Sequence, residues 1–239
     1  GILGEASGAK ISNMARFPGF PPQALKFLRQ LEKNNDREWF QAHKSGYEAY
    51  LKTPMHDLVT ALGEDLEKFA TGFQTDPKKA IYRIYRDIRF SNDKRPYKTN
   101  VAASFFPKAM EKHAGAGYYF HLAPTEIFLG AGVYMPGPKE LFAIRKRLSK
   151  DAAAYRKLTS AAAFKRLFGE VQGERLKRSP KGFSPDDPAL DLLLGKQFLA
   201  SAELSAELVG TPKLQTEITK RFRALQPWID WLNDAVKKG

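Results

Sequence analysis

VAASFFPKAMEKHAGAGYYFHLAPTEIFLGAGVY, Val101 to Tyr134, is the stretch that decides the fold class. It holds three short apolar and aromatic segments: Val101 to Phe106, Tyr118 to Leu122 and Glu126 to Tyr134. Segments of this composition suit a pleated, half-buried surface. A polar, Gly-bearing link (Lys108 to Gly117) joins the first two, and Pro124-Thr125 joins the last two. Links this short favour antiparallel neighbours, because a parallel return needs a crossover of roughly a dozen residues or more. Gly130-Ala131-Gly132 inside the third segment fits a bulge or a close backbone approach.

Helical patterning flanks this stretch on both sides. Pro22 sits where a first-turn proline is tolerated, and Leu25, Leu28 and Leu31 follow at helical spacing. Asn35 and Glu38 have the spacing of a capping box, predicting a helix over Asp36 to Leu51. Thr53-Pro54 starts the next, with Met55, Leu58, Val59, Leu62, Leu66 and Phe69 as its apolar stripe. Beyond Pro138 the pattern predicts helices over 139–150, 152–168, 211–225 and 227–237, a surface loop over 173–188, and one more strand over 196–204. Helices, then strands, then helices imply an α+β fold. Its antiparallel (or mixed) sheet comes from the middle of the chain and is packed by N- and C-terminal helices. Residues 17–239 are expected to form one domain and residues 1–16 a flexible arm.

The 239 residues are 43% hydrophobic, enough for one sizeable core. There is no cysteine, which excludes disulfides and thiolate metal sites and suits a reducing, cytoplasmic compartment. No apolar run approaches the roughly 20 residues of a membrane span, and the N-terminus lacks a signal-peptide pattern. The net charge of +13 is uneven. Residues 78–98 carry eight Lys/Arg against two Asp, and residues 139–181 carry thirteen Lys/Arg against four Asp/Glu. Local excesses of this kind steer anions.

The first of these basic segments contains IYRIYRDIRFSNDKRPYKT, Ile81 to Thr99. Alternation from Ile81 to Phe90 predicts a strand with Tyr82, Ile84, Ile88 and Phe90 on one face. Arg83, Tyr85, Asp87 and Arg89 would lie on the other. An aspartate set between arginines has two physical readings. Either it locks them in an internal ion-pair network, or it fixes an arginine fork whose free donors face a phosphate or carboxylate.

Arg83 to Lys98, R-x-x-R-D-x-R-F-S-x-D-K-x-P-Y-K, resembles the signature of a mainly bacterial family catalogued only as a domain of unknown function. Asn34 to Phe40 (NNDREWF), Gly117 to Pro124 (GYYFHLAP) and Gly130 to Pro138 (GAGVYMPGP) are similar to other parts of that family. The resemblance implies one intracellular domain and no particular activity.

The residues themselves point to an anionic ligand, phosphate- or carboxylate-bearing, at Arg83, Arg86, Asp87, Arg89, Ser91, Lys94, Tyr97 and Lys98. One alternative is a nucleic-acid-associated binding module, in which exposed aromatics such as Tyr85 or Tyr97 add base stacking. Another is an enzyme on a phosphorylated or carboxylated small molecule, with Asp87, Asp93 or His121 as the acid–base group. The choice between a small molecule and nucleic acid stays open, as does the oligomeric state. The four histidines show no metal-ligand spacing, and no cofactor, metal or membrane partner is expected. Trp39, beside Phe40, is a candidate pocket wall.

Overall fold

A computed structural model of the protein describes residues 16–111 and 113–238. The expected arm, apart from Arg16, lies outside the described residues. The fold is α+β, built on one antiparallel sheet in the order β1-β2-β3-β4. The strands are β1 (Val101–Phe105), β2 (Gly117–Leu122), β3 (Glu126–Val133) and β4 (Phe198–Ser205). Three consecutive strands form a meander, and the chain returns to β4 only after a helical excursion.

The helices are α1 (Gln23–Lys33), α2 (Arg37–Ala42), α3 (Lys44–Tyr47), α4 (Thr53–Leu66), α5 (Pro77–Ala80), α6 (Pro138–Lys150), α7 (Ala152–Ser160), α8 (Ala162–Phe168), α9 (Leu190–Leu193) and α10 (Lys213–Lys238). The helix expected over 36–51 is broken at His43. Its cap is Asp36, whose side chain accepts the Trp39 N–H at 2.8 Å, and not Asn35. Thr53-Pro54 starts α4 as expected, but with no break before it. A π-helical turn, Glu48–Lys52, runs straight into α4, with the Thr53 N–H bonded five residues back to the Glu48 carbonyl. Pro54 brings no N–H to the preceding turn, and widening that turn absorbs the missing bond. The two helices expected around Pro227 are one continuous α10. A helix-interior proline costs about 3 kcal/mol. Leu225, Trp228, Ile229 and Leu232 are all buried around it, and each such side chain returns about 1.5–3 kcal/mol.

One face of the sheet is covered by these helices. Tyr118 stacks on Phe222 of α10 at 4.5 Å, and Phe105 meets the same ring edge-on. The Tyr118 hydroxyl donates to Gln226 Oε1. Trp228 packs edge-on against Phe164, and Tyr155 packs on both Trp231 and Phe198. Alternation then assigns Tyr119, His121, Phe128 and Gly130 to the opposite face, where Tyr119 pairs with Gly130 and His121 with Phe128. The buried apolar side chains form one cluster reaching from Phe17 to Ala235.

Both sheet edges are guarded by single bridges. Ile81 pairs with Ala103 beside β1, and Gln172 pairs with Leu199 beside β4. Neither becomes a further strand, so the edges stay short, which discourages pairing with another chain. Gly132 has φ +117°, and a Cβ there would lie 1.9 Å from the Phe198 carbonyl oxygen. The close approach of β3 and β4 therefore requires glycine. Gly72 also has positive φ (+85°) but open space around it. Gly132→Ala is expected to lose more than the about 1–3 kcal/mol of backbone strain alone, because the clash adds to it. Gly72→Ala should lose only the strain; urea unfolding of the two variants checks the difference.

Candidate functional site

The segment 81–98 is not a regular strand. Tyr82 N–H bonds the Ala102 carbonyl, Lys98 N–H the Ile84 carbonyl, and Arg86 N–H the Pro96 carbonyl. Ile84 is buried, and Tyr85 bridges Tyr97. Pro96 has no N–H with which to return the bond, so the pairing stops there. The tip beyond it projects outward, and Phe90, expected on an apolar face, is 96% exposed.

Three of the motif's arginines are held by its own two aspartates, which offset two of the six positive charges from Arg83 to Lys98. Arg89 forks onto Asp87, Nε to Oδ1 at 3.0 Å and Nη2 to Oδ2 at 2.7 Å. These hydrogen bonds hold the Asp87 carboxyl down to about 2. Asp93 accepts Arg95 Nη2 at 2.8 Å and also accepts Arg86. Hydrogen bonds from Arg95, then Arg86, keep Asp93 well below the usual carboxylate range. A carboxylate that acidic is a poor general base near neutral pH, which counts against both aspartates as catalysts. Ser91 Oγ accepts the Asp93 N–H, the turn-forming role. Lys94 Nζ donates to the Ile88 carbonyl.

Tyr97 lies inside, 2% exposed, its ring stacked on Phe40 at 4.0 Å. Asn35 clamps its backbone from both sides, accepting the Tyr97 N–H and donating to the Tyr97 carbonyl, each at 3.0 Å. Two sequence-distant motifs, NNDREWF and the arginine-rich segment, thus meet at this residue. Trp39 lines neither of the two hollows described below. It stacks on His43 at 4.1 Å and packs on Phe27.

Arg83 and Lys98 remain. Among the described residues, the Arg83 guanidinium makes no hydrogen bond or ion pair, though Asp87 feels its charge. Lys98 Nζ donates to the Arg83 carbonyl at 2.8 Å and lies 5.3 Å from the centre of the Tyr82 ring. Burial, then the charge of Arg83, lowers the Lys98 pKa. The charge of Arg83 thus reaches Lys98, whose ammonium is tied to the Arg83 backbone.

Tyr82 leads to a feature that the sequence did not announce. The sheet face away from α10 is the floor of a groove of about 690 Å³. Tyr82 walls it beside β1 and Gln172 beside β4, while Tyr119, His121, Phe128 and Gly130 line its floor. Tyr134 and Met135, 62% and 69% exposed, stand at its rim. Gly130 has no positive φ, and a Cβ there would meet nothing nearer than the Phe128 ring at 3.2 Å. Backbone geometry does not demand glycine there; a side chain would occupy the groove. A second hollow, about 630 Å³, lies against α10. Its carboxylate, Asp65, already accepts from Gln215, Thr219 and Lys68.

The groove has few polar groups. Tyr119 Oη lies 3.1 Å from His121 Nδ1, and His121 Nε2 lies 3.6 Å from Glu126 Oε1. Ser104 donates to the Tyr82 hydroxyl at 3.0 Å. Burial pushes the Tyr119 phenol up to about 12. Burial also lowers the His121 imidazole, against a smaller raising effect of Glu126. His121 was visible in the sequence as a candidate, whereas Tyr119 and Gly130 were hidden among ordinary strand residues. Among the described residues no group of three or more His, Cys, Asp or Glu is placed to hold a metal ion.

The family model of a conserved hypothetical protein, DUF2461, matches residues 23–231. The chain belongs to the DUF2461 family. That span takes in the arginine-rich segment and the residues of the groove alike. No curated protein matches the chain. No helix among the described residues is long and apolar enough to cross a membrane.

The second basic segment is also partly spoken for. Buried Arg145 donates to the Leu193 and Gly195 carbonyls, each at 2.8 Å. Arg147 bonds the Trp231 carbonyl and stacks on its ring. Arg156 forks onto Asp191. These arginines tie α6 and α7 to neighbouring segments. Asn35→Ala strips both backbone partners of Tyr97 and is expected to cost about 1–3 kcal/mol. Gly130→Leu should cost less than that, since the roughly 0.5–1 kcal/mol by which glycine weakens a strand relative to alanine offsets the small shift the Phe128 ring must make for a Cβ 3.2 Å away; calorimetry on both variants reads this contrast.

Proposed function

We propose that the protein, taken as one domain over 17–239, binds a small organic anion. The apolar body of the ligand lies in the sheet-face groove, and its carboxylate or phosphate meets Arg83 and Lys98. The observation that carries this reading is a motif whose other arginines are matched by Asp87 and Asp93, while Arg83 forms no ion pair among the described residues and Lys98, bonded to the Arg83 carbonyl, lies over the ring of the groove-lining Tyr82. A mostly apolar concavity with a few polar groups is the usual form of a small-ligand site.

Naphthoate and its uncharged analogue naphthamide test this by isothermal titration. The carboxylate is expected to bind about tenfold more tightly, the scale of one charge-assisted hydrogen bond. Arg83→Ala with Lys98→Met should erase the preference. Equal affinity of the two compounds for the wild-type protein would contradict the reading.

A second reading, single-stranded nucleic acid, is favoured by one observation. Phe90 stands almost fully exposed at the tip, with the Arg89 guanidinium 5.8 Å from its ring centre. Such a tip supplies a stacking surface with a charge beside it. In fluorescence anisotropy, oligonucleotide binding that falls with salt and is lost in both Phe90→Ala and Arg89→Ala would favour it. Arg89 is exposed and paired only locally, so neither change should unfold the protein.

A further inference from the structure

We infer that Tyr119, His121 and Glu126 form a proton relay on the groove floor, making the site an acid–base catalyst for a ligand bound there. This rests on the groove holding the ligand, as proposed above, and adds the class of reaction. The three side chains come from adjacent positions in the sheet register. Tyr119 and His121 are two residues apart on β2 and share one face, and His121 pairs with Phe128 of β3. Glu126, at the start of the same strand, reaches the far nitrogen of the imidazole.

The geometry orders the protons. Glu126 Oε1 faces Nε2, so Nε2 carries the ring proton and Nδ1 accepts from the Tyr119 hydroxyl. The ring is fixed by stacking on Phe128, with centroids 5.2 Å apart and planes 17° from parallel. Tyr119 is thereby left with its oxygen lone pairs in the groove and a base behind it. Burial keeps His121 neutral at physiological pH, the state that can accept a proton. Glu126 then stabilises the imidazolium that forms. A structural polar pair would not need the third member, nor a floor kept open by Gly130.

The step balances without a co-reactant. An acidic C–H or O–H bond of the ligand breaks, and its proton goes to Tyr119 Oη as the tyrosine's own proton passes to His121 Nδ1. The electron pair stays on the ligand as an enolate or alkoxide, and return of the proton at another atom completes an isomerisation.

The probe is 5-nitrobenzisoxazole, uncharged and planar, so its turnover does not depend on Arg83 or Lys98. Its C–H proton is removed, the electron pair forms a nitrile, and the N–O bond breaks to give a coloured phenolate. Wild-type protein is expected to exceed Tyr119→Phe and His121→Gln by about 10²-fold in turnover, the lower end of general acid–base contributions. Thermal melts should confirm that both variants are folded, and Gly130→Leu should abolish turnover by excluding the probe. Glu126 acts as a positioning residue. Glu126→Gln should move the midpoint of the pH–rate profile to lower pH, since the carboxylate is the charged group beside His121 that favours its protonation. Wild-type turnover no greater than that of Tyr119→Phe would overturn the relay. If naphthoate still prefers the wild-type site in that case, anion binding stands without catalysis. Turnover without a naphthoate preference would leave the relay and remove the anion.

Discussion

Among the described residues the helices pack on one face of the sheet, and the rest of the architecture follows from that asymmetry. Tyr118 and Phe105 pack against Phe222 of the long C-terminal helix, and Trp228 and Trp231 extend the same contact. That helix stays continuous through Pro227 because the side chains on either side of the proline are in the core. Among the described residues no helix packs over the other face; segments reach it from the two edges, through the bridges at Ala103 and Leu199, and from the β1–β2 link, through Phe106 and His113. A sheet held from one side and walled at both edges leaves a concave floor.

Charge is distributed on a similar economy. The chain carries +13, yet many of its arginines are engaged inside the molecule. Arg145 and Arg147 bond carbonyl groups at helix contacts, and Arg86, Arg89 and Arg95 are held by two aspartates. Surface pairs of this kind add little to stability. Their effect is to fix the shape of the segment 81–98, which Tyr97 anchors through Phe40 and Asn35. Within that segment it leaves Arg83, which forms no ion pair among the described residues, and Lys98, which lies over the ring of the groove-lining Tyr82.

The sheet was legible because its strands carry their own pattern. Val101 to Phe105, Gly117 to Leu122 and Glu126 to Val133 alternate against short links, and glycine at 132 announced the close approach it makes. The segment 81–90 misled because its alternation is genuine, but its partner contains Pro96, which cannot complete a ladder. The continuity of α10 through Pro227 depends on tertiary burial that local propensity does not contain. The arginine-rich motif could be located from sequence, but not its division into paired and unpaired cations, since that depends on which side chains reach Asp87 and Asp93. The groove itself was invisible. Tyr119 and Gly130 read as strand residues until the register puts them with His121 and Phe128 on the face away from α10.

The central claim is that the open sheet face receives a ligand whose charged end meets Arg83 and Lys98. A crystal structure of the protein grown with naphthoate tests it most directly. The account predicts the ring system lying over Phe128 and Gly130, with the carboxylate at Arg83 and Lys98. Density for the ligand at the Phe90 tip or against the C-terminal helix, with the groove filled only by solvent, would contradict it.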